Sequence, residues 1–304
     1  MSFSRDVCEQ LIAQKIVEYV ELAKALIAVA KKDLEAARVL YRERLYPQAI
    51  FYAEQSSEKI AKAFLLTFII EEVSSPTKCE ISTLEDKLKN VHSKFRSIGH
   101  DVIKLILETI PYIKNKCEEI SKLLALALNQ LYMQASTGNP AIEIGGKLKG
   151  AIEANCKYIV DLYESLEKDR DKHKVLHEKL REMSKNENEL VSFLNEIETV
   201  YQVAEYLISI LSLIVLSTNI DKSRLLSYVQ GLSATSISTL FLLSPHAIRC
   251  RYPDFCEDEP SKVCNPLEEY DEKHPLVKNL DRILNLTEKM IRFTELLVSN
   301  FIKT

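Results

Sequence analysis

Glycine and proline are scarce in this chain, 6 and 9 among 304 residues. There is no strand-like alternation and no nucleotide-binding glycine loop. With Leu, Ile, Ala, Glu and Lys abundant, the composition favours long helices joined by short corners. A basic excess is also missing: the formal net charge is -4. That argues against a dedicated, non-specific nucleic-acid coat, although a local basic patch remains compatible with it. No HExxH, Ser-His-Asp arrangement or phosphate loop is present, and the lack of Trp excludes nothing. Met1-Ser2-Phe3-Ser4-Arg5-Asp6 lacks the basic and apolar pattern of a secretory signal, so a cytoplasmic protein is expected. Long apolar runs are wanting too. Tyr206 to Asn219 is short of the about 20 apolar residues a bilayer span requires, and Leu225 to Ile248 is diluted by Ser and Thr. Both are expected as helices buried in a bundle, not as a membrane hairpin.

What is present is concentrated between Asp33 and Phe64. Leu34, Ala37, Leu40 and Tyr41 share one stripe of an amphipathic helix. After a tight corner, Pro47 opens a second helix, where its missing N–H costs nothing and its fixed φ is already close to helical. Ala49, Tyr52, Ala53, Ser56, Ile60, Ala63 and Phe64 share a face of that helix, and the small side chains among them admit a close neighbour. Glu54, Glu58 and Lys62 occupy the opposite face. With Lys59, the two glutamates are expected on a solvated surface, where charge pairs at helical spacing are common and weak.

The pattern LYxxAIFxAxQxxEKxxKAxLL, from Leu45 to Leu66, resembles the second helix of HEPN domains, small all-α modules. Gly99-His100-Asp101-Val102-Ile103-Lys104-Leu105 is similar to the family's GHDxxxL entry to its third helix. Arg251-Tyr252-Pro253-Asp254-Phe255 is similar to the RYPD segment before its last helix. The resemblance implies an all-α, up-and-down helical bundle. The motifs lie further apart than in such short domains. A discontinuous core, residues 1–110 and 200–304, is therefore expected, with a helical insertion over 111–199.

Along the chain, helices are expected over about 8–43, 47–73 and 82–91, and from Asp101 to about 135. The next, about 142–184, is highly charged in its middle, with only a thin apolar stripe at Leu166, His173, Leu176 and Leu180. That pattern suggests a projecting arm or helical hairpin, returning from Asn188 to Asn219. Residues 221–243 are expected to be helical and 244–272 mostly irregular. A final helix is expected over 274–303, with Leu276, Leu280, Ile283, Leu284, Leu286, Met290, Ile291 and Leu297 facing inward.

Many HEPN proteins are metal-independent ribonucleases, in which a His moves a proton while an Arg stabilises charge building on the phosphate. This chain matches that motif poorly. Arg96 and His100 are too close together and Gly99 interrupts them, while Arg170 and His177 lie in the charged insertion. His100 and Asp101 can be read as bordering a nucleotide cleft, with Arg96 and Arg251 supplying charge. The preferred reading is a helix cap, with Asp101 satisfying free N–H groups. Likewise Tyr252 is expected to wedge between helices and Arg251 to pair with a carboxylate, with Asp254 beside them.

Seven cysteines in a cytoplasmic chain read mainly as small buried hydrophobes. Cys250, Cys256 and Cys264, flanked by His246 and His274, could offer zinc three thiolates and an imidazole, but without the tight CxxC knuckle. A disulfide pinning the loop is the rival. No cofactor is implied. The resemblance implies a nucleotide- or RNA-binding module, homodimeric and possible partner of a small nucleotidyltransferase in a toxin–antitoxin pair. Its ligand residues would be Arg96, His100, Asp101, Arg251, Tyr252 and Asp254. The alternatives are a ribonuclease toxin and a structural interaction protein.

Overall fold

The structure, a computed structural model, describes residues 5–74, 172–195, 197–199, 201–202, 242–247, 249–255, 261 and 263–300. The elements are α1 (Arg5–Arg42), α2 (Tyr46–Ser74), α3 (Lys172–Lys185), a 3-10 turn (Ser244–His246), β1 (Asp254–Phe255), β2 (Val263–Cys264), α4 (Pro266–Glu269), α5 (Pro275–Lys278) and α6 (Leu280–Asn300). Residues 187–195 are also helical. The described part is thus predominantly helical, as expected. Its one sheet is a two-stranded antiparallel ladder pairing Asp254 with Cys264 and Phe255 with Val263. Among the described residues no helix is long and apolar enough to cross a membrane.

α1 and α2 make an αα-hairpin whose corner is closed by the backbone. Arg44 takes φ 61, the left-handed region. The Leu45 N–H then donates to the Leu40 carbonyl at 2.9 Å, and the Arg44 N–H to that of Tyr41 at 3.1 Å. This is a Schellman closure, in which orphan carbonyls at the helix end find donors. Arginine sits where glycine would be least strained. Pro47 follows in the first turn of α2 and is buried.

Small residues set the closeness of the helices. Ala23, Ala30 and Ala37 of α1, and Ala49, Ala53 and Ala63 of α2, are fully buried. The Ser56 hydroxyl donates to the Ala30 carbonyl at 2.8 Å across the seam. α6 packs against both helices. Ser57 meets Thr287 at 3.4 Å, and Arg38 reaches Glu288 at 2.8 Å and Asn285 at 2.9 Å. The inward residues expected on the last helix are all buried, but Asn279 interrupts the helix, separating α5 from α6. Its side-chain amide donates to the Pro275 carbonyl at 2.9 Å.

The segment expected to project as an arm is docked where it is described. Arg181, Ser184, Leu190 and Leu194 are buried. Asn186 caps the stretch beginning at 187, its side-chain oxygen accepting from the Asn188 N–H at 3.1 Å. Arg282 of α6 grips Glu198 with two nitrogens, at 3.0 and 2.9 Å, and Lys278 reaches Glu187 at 2.7 Å.

Candidate functional site

The first polar constellation belongs to α2. Glu54 and Glu58, one turn apart, are 2% and 3% exposed, which overturns the expected solvated face. The Gln55 amide donates to Glu54 at 2.9 Å and to Glu58 at 3.3 Å, bridging both carboxylates. Lys62 approaches Glu58 at 2.5 Å, and Lys59 pairs with Asp33 of α1 at 2.8 Å. Buried charge is tolerated only when paired and hydrogen-bonded, and these groups are. Helical periodicity misses this because α2 is covered by α1 and α6: a helix wrapped on several sides has no simple wet face. Tyr52, placed by the same periodicity on the inner face, is instead 37% exposed.

The second constellation joins elements far apart in sequence. His246, 1% exposed, has its Nε2 2.8 Å from the Ser184 hydroxyl and its Nδ1 2.6 Å from the Tyr270 hydroxyl. Ser184 also donates to the Arg181 carbonyl at 2.6 Å. A carbonyl only accepts, so the serine proton is committed there, and the serine oxygen accepts from His246 Nε2–H. Nδ1 must then accept from Tyr270 O–H. Cys250 is hydrogen-bonded to Tyr270 in turn. The proton order therefore runs in one direction, from Tyr270 to His246, Ser184 and the Arg181 carbonyl.

This arrangement has the outline of a nucleophile–base–orienter triad but not its chemistry. Ser184 is fully buried and its proton points away from the imidazole. Burial lowers the His246 pKa to about 3, and His274, Arg181, Arg249 and Lys185 add to the effect, so the ring is neutral. Burial also raises the Cys250 thiol, with Glu269 and Glu54 raising it further against the Tyr270 hydrogen bond. The chain is a clasp between α3, the 3-10 turn and the segment leading to α4. His274 completes the neighbourhood by capping α5: its Nδ1 accepts from the Leu276 N–H at 3.1 Å. Burial lowers its pKa to about 4.

The third constellation is on the surface. Arg251 is exposed, and its guanidinium carbon lies 4.0 Å from the centre of the Phe51 ring. Phe51 meets Tyr52 edge-on, with ring centres 5.3 Å apart. Tyr252 is 63% exposed, so it does not wedge between helices. Arg251 stacks on an aromatic ring, and among the described residues the ion pair belongs to the nearby Arg249, with Glu269 at 3.8 Å. Asp254 lies in β1.

Arg96, His100, Asp101, Arg170 and Cys256 lie outside the described residues, and His177 is placed only as part of α3. Cys250 is a free, buried thiol, whereas Cys264 is disulfide-bonded. Cys250, Cys256 and Cys264 therefore do not present three free thiolates to a metal. Among the described residues no group of three or more His, Cys, Asp or Glu could hold a metal ion.

Neither a curated protein nor a solved structure matches the chain. A family model, HEPN domain, matches residues 23–141. The match begins at Ala23 in α1 and takes in the Arg44 corner, the whole of α2 and the glutamates buried on it. Residues 23–141 are thus a HEPN domain.

Proposed function

We propose that the protein is a non-catalytic HEPN module that binds a nucleotide or RNA. The HEPN domain over residues 23–141 carries this reading, because such domains are nucleotide- or RNA-related modules that commonly bind RNA and form dimers. The proposed ligand residues are Arg96, His100 and Asp101 from the matched region, with Arg251, Tyr252 and Asp254 from the loop before the last helices. The exposure of Arg251 and Tyr252 supports their availability to a ligand. The proposed core is discontinuous: α6 packs on α1 and α2 although the matched region ends at residue 141. Homodimerisation and pairing with a small nucleotidyltransferase complete the proposal.

The test is a thermal-shift titration with adenine and guanine nucleotides and with a short single-stranded RNA, the RNA then being run on a denaturing gel. A ligand held only by the folded state raises stability by RT ln(1 + [L]/Kd), so a weak site registers at high ligand concentration. A shift with intact RNA or nucleotide supports the module. Cleaved RNA replaces it with a ribonuclease. No shift at all overturns ligand binding and favours a scaffold.

A further inference from the structure

We propose that Arg251, Tyr252, Phe51 and Tyr52 form a stacking surface for an unpaired nucleobase. This rests on the nucleotide- or RNA-binding reading and specifies what part of the ligand is held, and where. The first observation is the guanidinium itself. Arg251 is exposed and lies against the Phe51 ring at 4.0 Å, and among the described residues it forms no ion pair. No carboxylate among the described residues neutralises it, and its plane is already backed by an aromatic ring. A base stacks on guanidinium planes and aromatic faces alike, and the positive charge suits the phosphate attached to it.

The second observation is that two tyrosines are left in solvent beside this pair. Tyr252 is the next residue in the chain and is 63% exposed, and Tyr52, 37% exposed, touches Phe51 edge-on. Neither ring is needed by the core. The loop that displays Tyr252 is held on both sides. Two residues earlier Cys250 is buried and its N–H donates to the His246 carbonyl at 2.8 Å. Two residues later Asp254 pairs with Cys264, which is disulfide-bonded. An aromatic side chain on an anchored loop loses little freedom on binding, which is how a surface is pre-organised. The base must be unpaired, since a duplex hides its faces.

The test is fluorescence anisotropy with a short fluorescein-labelled single-stranded RNA, competed by the same RNA as a duplex and by free ATP. It uses the full chain and the variants Tyr252→Ala, Tyr252→Trp, Arg251→Ala and Tyr52→Ala. Base–aromatic stacking predicts about a tenfold loss of affinity for Tyr252→Ala and a retained or tighter affinity for Tyr252→Trp. Arg251→Ala weakens binding similarly, the melting temperatures of all the variants stay near that of the parent, and the duplex competes poorly. Competition by ATP, lost in Tyr252→Ala, identifies a free nucleotide as a source of the base; competition by the single strand alone identifies RNA. If the parent binds RNA and all the alanine variants bind it equally well, the stacking surface is overturned while the binding module stands. If the parent binds neither RNA nor ATP, both fall.

Discussion

His246 Nδ1 stands 2.6 Å from the Tyr270 hydroxyl and accepts its hydrogen bond, so the one basic lone pair of the ring is engaged within the fold. The folded pKa of about 3 lies below the ordinary value of 6.5. The unfolded chain therefore takes up a proton that the native state refuses. Stability is complete above pH 6.5 and is lost as the pH falls toward 3, with roughly 2 kcal/mol gone by pH 5. His274, lowered to about 4, acts with the same sign. Melting temperatures measured from pH 7 to pH 5 are expected to fall more steeply for the parent than for His246→Gln. His274→Asn, which keeps a capping side chain, should also flatten the slope. Equal slopes would show that His246 is protonated in the native state.

The ion pair between Glu58 and Lys62 is shielded, with the glutamate 3% exposed. Removing Glu58 alone takes a shielded counter-charge from Lys62, so Glu58→Ala is expected to cost about 3 kcal/mol in urea denaturation. The double variant Glu58→Met, Lys62→Met removes both charges and should recover part of that loss. A double variant as unstable as the sum of its singles would mean that the two charges act independently.

Arg44 holds φ 61 at the corner between α1 and α2, where an L-residue pays a steric cost that glycine does not. The ion pair it makes with Glu272 is largely exposed and offers little in return. Arg44→Gly is expected to stabilise the protein by about 0.5–1 kcal/mol, seen as a higher urea midpoint. A lower midpoint would assign the corner's stability to the arginine side chain.

The Cys250 thiol is buried and its pKa raised, which suppresses the reactive thiolate. Iodoacetamide followed by peptide mass spectrometry should leave Cys250 unlabelled in the native protein and modify it in denaturant. Cys264 should react only after reduction. Native labelling of Cys250 would mean that the clasp opens readily.

The two N-terminal helices were legible almost to the residue because local signals set their ends. A stop at Arg42 and a restart at Tyr46, each one residue from the expected 43 and 47, need only the nearby chain. The inward stripe of α6 was legible for the same reason, being a one-sided pattern on a one-sided helix. The burial of Glu54 and Glu58 was hidden because their partners are chosen by tertiary packing. The His246 clasp was hidden more deeply: Ser184 and Tyr270 lie 62 and 24 residues away from it, and no local spacing announces such a contact. For Arg251 and Tyr252 the residue types were informative and the geometry was not. A tyrosine beside an arginine reads equally well as a wedge or as a display, and only the exposure of the ring decides.

The seam between α1 and α6 also sets an order of events. Lys31 and Glu295, joined at 2.5 Å, are 264 residues apart in sequence, and Arg38 waits on Glu288 across 250. A ribosome completes the α1–α2 hairpin long before it makes α6, so the hairpin waits through most of synthesis for the helix that meets Ser57. Contacts closed over such spans form late and slowly, and a helix face not yet covered invites misassociation meanwhile. The growing chain is thus most vulnerable to aggregation in the interval before Thr287 reaches Ser57.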